Sequence, residues 1–319
     1  AVRMAAMDLS SRVAPGKPLW LVGYSNGAAL CVDYALDVVQ GARLPQPAGL
    51  VLLSPAIGIA PAARIVQFRH VFGWVPGLSK LAWTEIAPEY DPFKYSSFSF
   101  NAIEQTSELT RSIQRRTSLL ARTQRLVGFP PTLAFLSTVD ATVSADAVVD
   151  QFMGRLSQGR HALVLFDVNR SAEASHLLRG DPGPLTRRLL GTRDLPFELT
   201  IVGNASADAS AVDATVLPTA GEAFRVPLCL EWPSGVFSLS HLALPFAPDD
   251  KLYGYTAAPD TRVVQLGRIE ARGETGVLAL PRWLSVRQRS NPFFGYLAQR
   301  VLAFTGATAS KSACDLRAP

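Results

Sequence analysis

The feature that most constrains this chain is a pentapeptide, Gly23-Tyr24-Ser25-Asn26-Gly27, set between a short apolar run and a helical pattern. The run, Leu19-Trp20-Leu21-Val22, is continuous and unalternating, as expected of a strand buried on both faces of a parallel sheet. Ala28 to Leu36 reads as a helix. Upstream, Val2, Met4, Ala5, Ala6, Leu9 and Val13 make a mostly apolar helical pattern, which Ala14-Pro15-Gly16-Lys17-Pro18 ends before launching the strand. A G-x-S-x-G sequence between strand and helix is a sharp turn that holds its serine strained, with the hydroxyl exposed. Gly23 and Gly27 are expected because side chains there would strike the neighbouring strand and helix. The backbone N–H of Asn26, at the helix N-terminus, would face an oxyanion formed beside Ser25.

A hydroxyl nucleophile needs a base, and the base needs an orienting acid. Thr132 to Ser137 reads as a second buried strand, followed by Thr138-Val139-Asp140-Ala141-Thr142-Val143. A carboxylate just after a parallel strand lies at the carboxyl edge of the sheet, where Ser25 also lies. Asp140 is therefore the candidate acid. Asp146 and Asp150 fall on the helix that follows and read as a solvated face. Of the four histidines, His70 precedes Asp140, and His161 starts the strand Ala162 to Phe166, at the wrong edge. His176 lies in a helical pattern, Ala172 to Leu178, whereas His241 lies in an apolar, loop-like stretch, Phe237 to Phe246. His241 is the preferred base and His176 the alternative.

Composition removes other classes. With 48% hydrophobic and 18% charged residues the chain can bury a large core. The longest apolar run, Ala48 to Ala63, is interrupted by Ser54, Pro55 and Pro61 and is shorter than the ~20 residues of a membrane span. The net charge of +5 comes from arginines spread along the chain without interleaved aromatics, which argues against nucleic acid. Arg111, Arg115 and Arg122 share a helical face beside Arg116 and Arg125, which reads as solvated rather than as an anion clamp. Cys31, Cys229 and Cys314 have neither zinc-site spacing nor a disulfide-scaffold pattern; a single pair is allowed, but nothing in the sequence selects it. Asn169-Arg170-Ser171 and Asn204-Ala205-Ser206 match a glycosylation sequon, a pattern short enough to arise by chance.

Ser25 in GYSNG, Asp140 in STVDATV and His241 in SLSHLALPF together resemble the α/β-hydrolase superfamily, most closely its lysophospholipase, monoacylglycerol lipase and serine aminopeptidase-like branch. The strand Leu50-Val51-Leu52-Leu53-Ser54-Pro55 adds to the likeness, which covers roughly residues 1 to 170 and resumes near His241. It implies an α/β fold with a mostly parallel sheet flanked by helices, and ester or amide hydrolysis through an acyl-enzyme. Ser25 would be the nucleophile, His241 the base and then the acid, and Asp140 the group orienting His241. No cofactor or metal is implied. The substrate would be a small-molecule ester or lipid; a peptidase or amidase, or a hydrolase-like binding protein without catalysis, are the alternatives.

The resemblance also sets the expected organisation. One hydrolase domain would span residues 1 to 306, followed by a frayed tail at 307–319. It would carry a lid at about 61–128, dense in aromatics such as Phe68, Phe72 and Trp74, and an insertion at about 170–235. Within that insertion, Phe197 to Asn204 reads as an extra strand and Ala205 to Thr219 as a small-residue helix or loop. In this branch more strands precede the nucleophile than stand before Ser25. The chain is accordingly expected to be the C-terminal part of a longer protein, with its first strand left at an exposed sheet edge and a second oxyanion donor supplied from upstream.

Overall fold

The computed structural model describes residues 1–58, 83–85, 91, 98–140, 142–171, 183–234, 236–256 and 289–307. His70, His176, most of the 61–97 aromatics and the tail beyond Ala307 lie outside them.

Three apolar runs make the centre of the sheet. β2 (Gly49–Leu53), β5 (Thr132–Ser137) and β6 (His161–Phe166) are buried at every position. Because successive side chains on a strand point to opposite faces, each run feeds two cores. Leu50, Leu52, Ala134, Leu136, Leu163 and Leu165 enter one, and Val51, Leu53, Leu133, Phe135, Val164 and Phe166 enter the other. β1 (Trp20–Tyr24) and β7 (Glu198–Asn204) flank this centre, and all five strands are parallel, in the order β1-β2-β5-β6-β7. β3 (Trp83–Glu85) and β4 (Phe98–Ser99) form a separate two-stranded antiparallel pair.

Since each parallel strand is laid down on the same side of the one before it, right-handed crossovers put their helices on one face. α2 (Asn26–Val39), α3 (Phe100–Arg122), α4 (Ala145–Gln151) and α5 (Pro184–Leu190) all contribute to the first core, through Val32, Ile113, Val148 and Leu185 among others. α3 is thus part of the main helical layer, although it falls within the range expected to form a lid. Ser99 and Ser144 cap α3 and α4 by accepting from Ala102 N–H at 3.3 Å and Ala147 N–H at 3.2 Å. The first helix, α1 (Val2–Arg12), buries only Ala6, leaves Met4, Met7 and Leu9 exposed, and is tied to α2 by Arg3 with Asp33 and Asp37.

The opposite face has no crossover helices among the described residues. It is covered by α6 (Phe294–Thr305) and by the stretch from Val236 to Leu244, which packs Val236, Leu239 and Leu244 with Phe293 and Leu297. That second layer brings in the segment bearing His241.

The region from Ala205 to Thr219 departs from its expected helix or loop. Residues Ala211–Leu217 form β8, antiparallel to β7, and Phe224–Glu231 form β9, antiparallel to β8, so the main sheet grows to seven strands. Val212 and Ala214 face the core while Asp213 and Thr215 are half-exposed, the two-residue alternation of a strand with one buried face. β9 lies at the edge, where Pro227 costs no ladder bond to a further strand. At the other edge is β1, whose Val22 is 62% exposed. Cys229 is disulfide-bonded, and Cys31 is buried and free, its thiol pushed up to about 11 by desolvation.

His161 is buried at the amino end of β6, away from the carboxyl edge, and desolvation lowers its pKa from 6.5 to about 4. Between those values the unfolded chain binds a proton that the folded chain does not, so stability rises with pH across the window. The contribution is whole above 6.5 and is lost as pH falls toward about 4, by roughly 3 kcal/mol. Urea midpoints from pH 4 to 7 should flatten in His161→Gln. An unchanged slope would show that the imidazole is not the group responsible.

Candidate active site

At the end of β1 the chain turns into α2 through Ser25, whose backbone sits at φ 50°, ψ −116°. Such a conformation is costly in a non-glycine residue and persists only where its surroundings impose it. They do so here through hydrogen bonds on both sides. Ser25 N–H donates to Leu53 O at 2.8 Å, while Ser25 O accepts from Ala28, Ala29 and Ala56 N–H at 3.1 to 3.2 Å. The Ser25 side chain makes no capping bond to α2.

Gly23 is needed sterically, because a Cβ there would lie 2.6 Å from the backbone N and Cα of Ala28. Gly27 differs from expectation, since a Cβ at that position would meet nothing within 4 Å. The close approach falls on the strand side of the turn, where β1 runs under α2, and not on the helix side. Asn26 opens α2 and is exposed, so its N–H is one of the first-turn donors without an intrahelical acceptor.

Asp140 follows β5, the second strand over from β1, at the same edge of the sheet. Its Oδ1 accepts from Thr142 N–H at 2.8 Å and Val143 N–H at 3.0 Å, which fixes the carboxylate within its own turn. His241 reaches it from the second layer. Nδ1 of His241 lies 3.3 Å from Asp140 Oδ1, with the carboxylate fully buried and the imidazole nearly so. Nδ1 is not aligned to hydrogen bond, and among the described residues neither it nor Asp140 Oδ2, both buried, has a partner. Buried polar atoms are rarely left unpaired in folded proteins, so these two neighbouring groups stand out. The imidazole stacks over Tyr24, the residue immediately before Ser25, with ring centroids 6.3 Å apart and planes at 23°.

Two asparagines position the His241 segment, and neither was singled out for this from the sequence. Asn169, buried just after β6, donates from its side chain to Val236 O at 2.9 Å and from its backbone to Phe237 O at 2.7 Å. Asn291, fully buried before α6, donates from its backbone to Phe246 O at 2.8 Å and from its side chain to Leu244 O at 3.4 Å. The segment is therefore pinned on both sides of His241. The only trace of this in the sequence was the sequon at Asn169. Burial and inward bonding make that side chain unsuitable as a glycan acceptor, and Asn204 is likewise engaged, donating to Asn169 Oδ1 at 3.1 Å and Ala209 O at 2.7 Å.

Other carboxylates near the edge are committed elsewhere. Asp167 accepts from Arg170 at 2.8 Å and from Thr138 Oγ1 at 3.3 Å. Asp146 and Asp150 both pair with Arg188 at 2.8 Å, on the exposed side of α4. Among the described residues no group of three His, Cys, Asp or Glu side chains could hold a metal ion, and no helix is long and apolar enough to cross a membrane.

The seven-stranded mixed sheet with flanking helices, and a serine in a strained turn at its carboxyl edge, define an α/β protein. No family model matches the sequence, and no curated protein does. Among solved structures, a soluble variant of monoglyceride lipase from Saccharomyces cerevisiae, in complex with a substrate analog, is similar at 17% identity and a TM-score of 0.38. That likeness covers 51% of this chain and 57% of the lipase, so the chain spans somewhat more than half the length of the protein it matches.

Proposed function

We propose that this chain carries the active site of a serine hydrolase that cleaves carboxylic esters, lipid esters among them, through an acyl-enzyme. The observation that carries the reading is the strained backbone of Ser25 at the turn between β1 and α2. Strain held by four backbone hydrogen bonds at a sheet edge has a ready purpose in presenting a nucleophilic hydroxyl. His241 takes the Ser25 proton as the hydroxyl attacks the ester carbonyl. Asp140 orients the imidazole and stabilises the imidazolium that forms. The Asn26 N–H, aided by the positive end of α2, offsets charge on the tetrahedral oxyanion. His241 then returns the proton to the leaving alcohol, and water attacks the acyl-serine by the same route in reverse. The residue set would serve a peptidase or amidase equally, and acyl esters compared with aminoacyl amides as substrates separate the two.

A fluorophosphonate probe tests the nucleophile directly. Labelling is expected on the peptide containing Ser25 and nowhere else, with loss in Ser25→Ala. Labelling that persists in the variant would defeat the proposal.

A further inference from the structure

We propose that the groove between α3 and the end of α4 is a binding site for a phosphoryl oxyanion, separate from the site around Ser25. The groove has a volume of about 360 Å³ and is lined by Gln114, Arg115, Ser118, Leu119, Arg122, Gln151 and Arg155. On α3 the positions 115, 118, 119 and 122 follow the i, i+3, i+4, i+7 stripe of one helical face. Gln151 and the 3-10 turn Met153–Arg155 form the facing wall. The groove lies at the amino edge of the sheet, because α3 and α4 both run antiparallel to the strands they join. Ser25, Asp140 and His241 are at the carboxyl edge.

Its polar lining is three guanidiniums, two carboxamides and a hydroxyl, with no carboxylate. The acids of the neighbouring helices are already occupied. Asp33 and Asp37 of α2 pair with Arg116 at 2.6 and 2.8 Å, from the other side of α3, and Asp146 and Asp150 pair with Arg188. Among the described residues, Arg115, Arg122 and Arg155 have no carboxylate within ion-pair distance. Arg155 is held by neutral acceptors, its Nε donating to Asp150 O at 2.9 Å and its Nη2 to Gln151 Oε1 at 2.5 Å, which fixes the guanidinium and leaves its charge unbalanced.

Attraction to the C-terminal end of α3 would account for Arg122, which sits in the last turn, but that effect fades within one turn. It does not account for Arg115 two turns earlier, nor for Arg155 on the facing wall. Three guanidiniums lining one groove carry more positive charge than one carboxylate offsets. They suit a phosphate, with its larger charge and several acceptor oxygens. The lining contains no aromatic ring, so nothing in it would stack a base. The phosphoryl group can belong to a soluble monoester or to an anionic phospholipid headgroup, and Leu119 on the rim, 59% exposed, would suit the second.

Calorimetric titration with inorganic phosphate and with glycerol 3-phosphate tests the soluble source. Co-sedimentation with phosphatidylglycerol vesicles, against phosphatidylcholine vesicles, tests the headgroup. The double variant Arg115→Ala, Arg122→Ala is expected to weaken whichever binding is seen by on the order of tenfold or more, while Arg111→Ala, on α3 but outside the groove, leaves it unchanged. Circular dichroism of the double variant checks that the exposed substitutions leave the fold intact. Saturable phosphate binding, or vesicle binding that depends on phosphatidylglycerol, supports the site when it is lost in the double variant and kept in Arg111→Ala. No binding to any of these probes, or equal binding by wild type and double variant, overturns it. The readout is binding alone, so it stands or falls independently of the role of Ser25.

Discussion

Replacing Ser25 with alanine is expected to lower p-nitrophenyl ester turnover by on the order of 10⁶, and replacing His241 with alanine by a similar factor. Nucleophile and base act as one unit, so the double variant should be scarcely worse than either single one. Neither substitution removes a backbone bond that holds the fold. The elbow depends on the backbone of Ser25, which alanine retains, and the Ser25 side chain makes no capping bond. The His241 segment is anchored by Asn169 and Asn291, not by the imidazole. Melting temperatures close to wild type should therefore accompany the loss of rate. His176→Ala is the comparison that decides the base. Near-wild-type turnover in that variant, with loss in His241→Ala, assigns the base to His241, and the reverse result moves it to His176.

Asp140→Asn is expected to cost on the order of 10⁴ in turnover while leaving the turn in place. The asparagine carbonyl oxygen can still accept from the Thr142 and Val143 N–H groups, so the local geometry survives. What is lost is the negative charge 3.3 Å from His241 Nδ1, and with it the proposed orienting hold on the imidazole. The rate of fluorophosphonate labelling should fall with turnover, because both need the same activated hydroxyl. Asp167→Asn offers the control, its carboxylate being taken up by Arg170 and Thr138. Full activity in Asp140→Asn together with loss in Asp167→Asn would reassign the acid.

Much of this was legible from the chain, for a local reason. The strand-turn-helix unit around Ser25 spans contiguous residues, and its glycines and apolar runs carry their meaning without distant partners. β2, β5 and β6 were equally readable, since a strand buried on both faces must be apolar throughout. β8 was missed because its small residues resemble a loop in composition. Its signal was the alternation of Val212 and Ala214 with Asp213 and Thr215, weaker because only one face is buried. The crowding attributed to Gly27 was likewise unreadable, since which glycine is squeezed depends on the angle at which α2 crosses β1.

The sequence alone determined the apolar strands, the turn at Ser25 and the short set of residues proposed to act with it. These follow from side-chain chemistry and from period, which need only neighbours along the chain. Tertiary structure decided that β1 and β9 form the edges of a seven-stranded sheet, that Asp140 and His241 come within 3.3 Å, and that Arg115, Arg122 and Arg155 share a groove. The Asp140 and His241 pairing depends on Asn169 and Asn291 gripping a segment that returns across the far face of the sheet. Such contacts are set by packing between residues far apart in sequence, and no local periodicity encodes them.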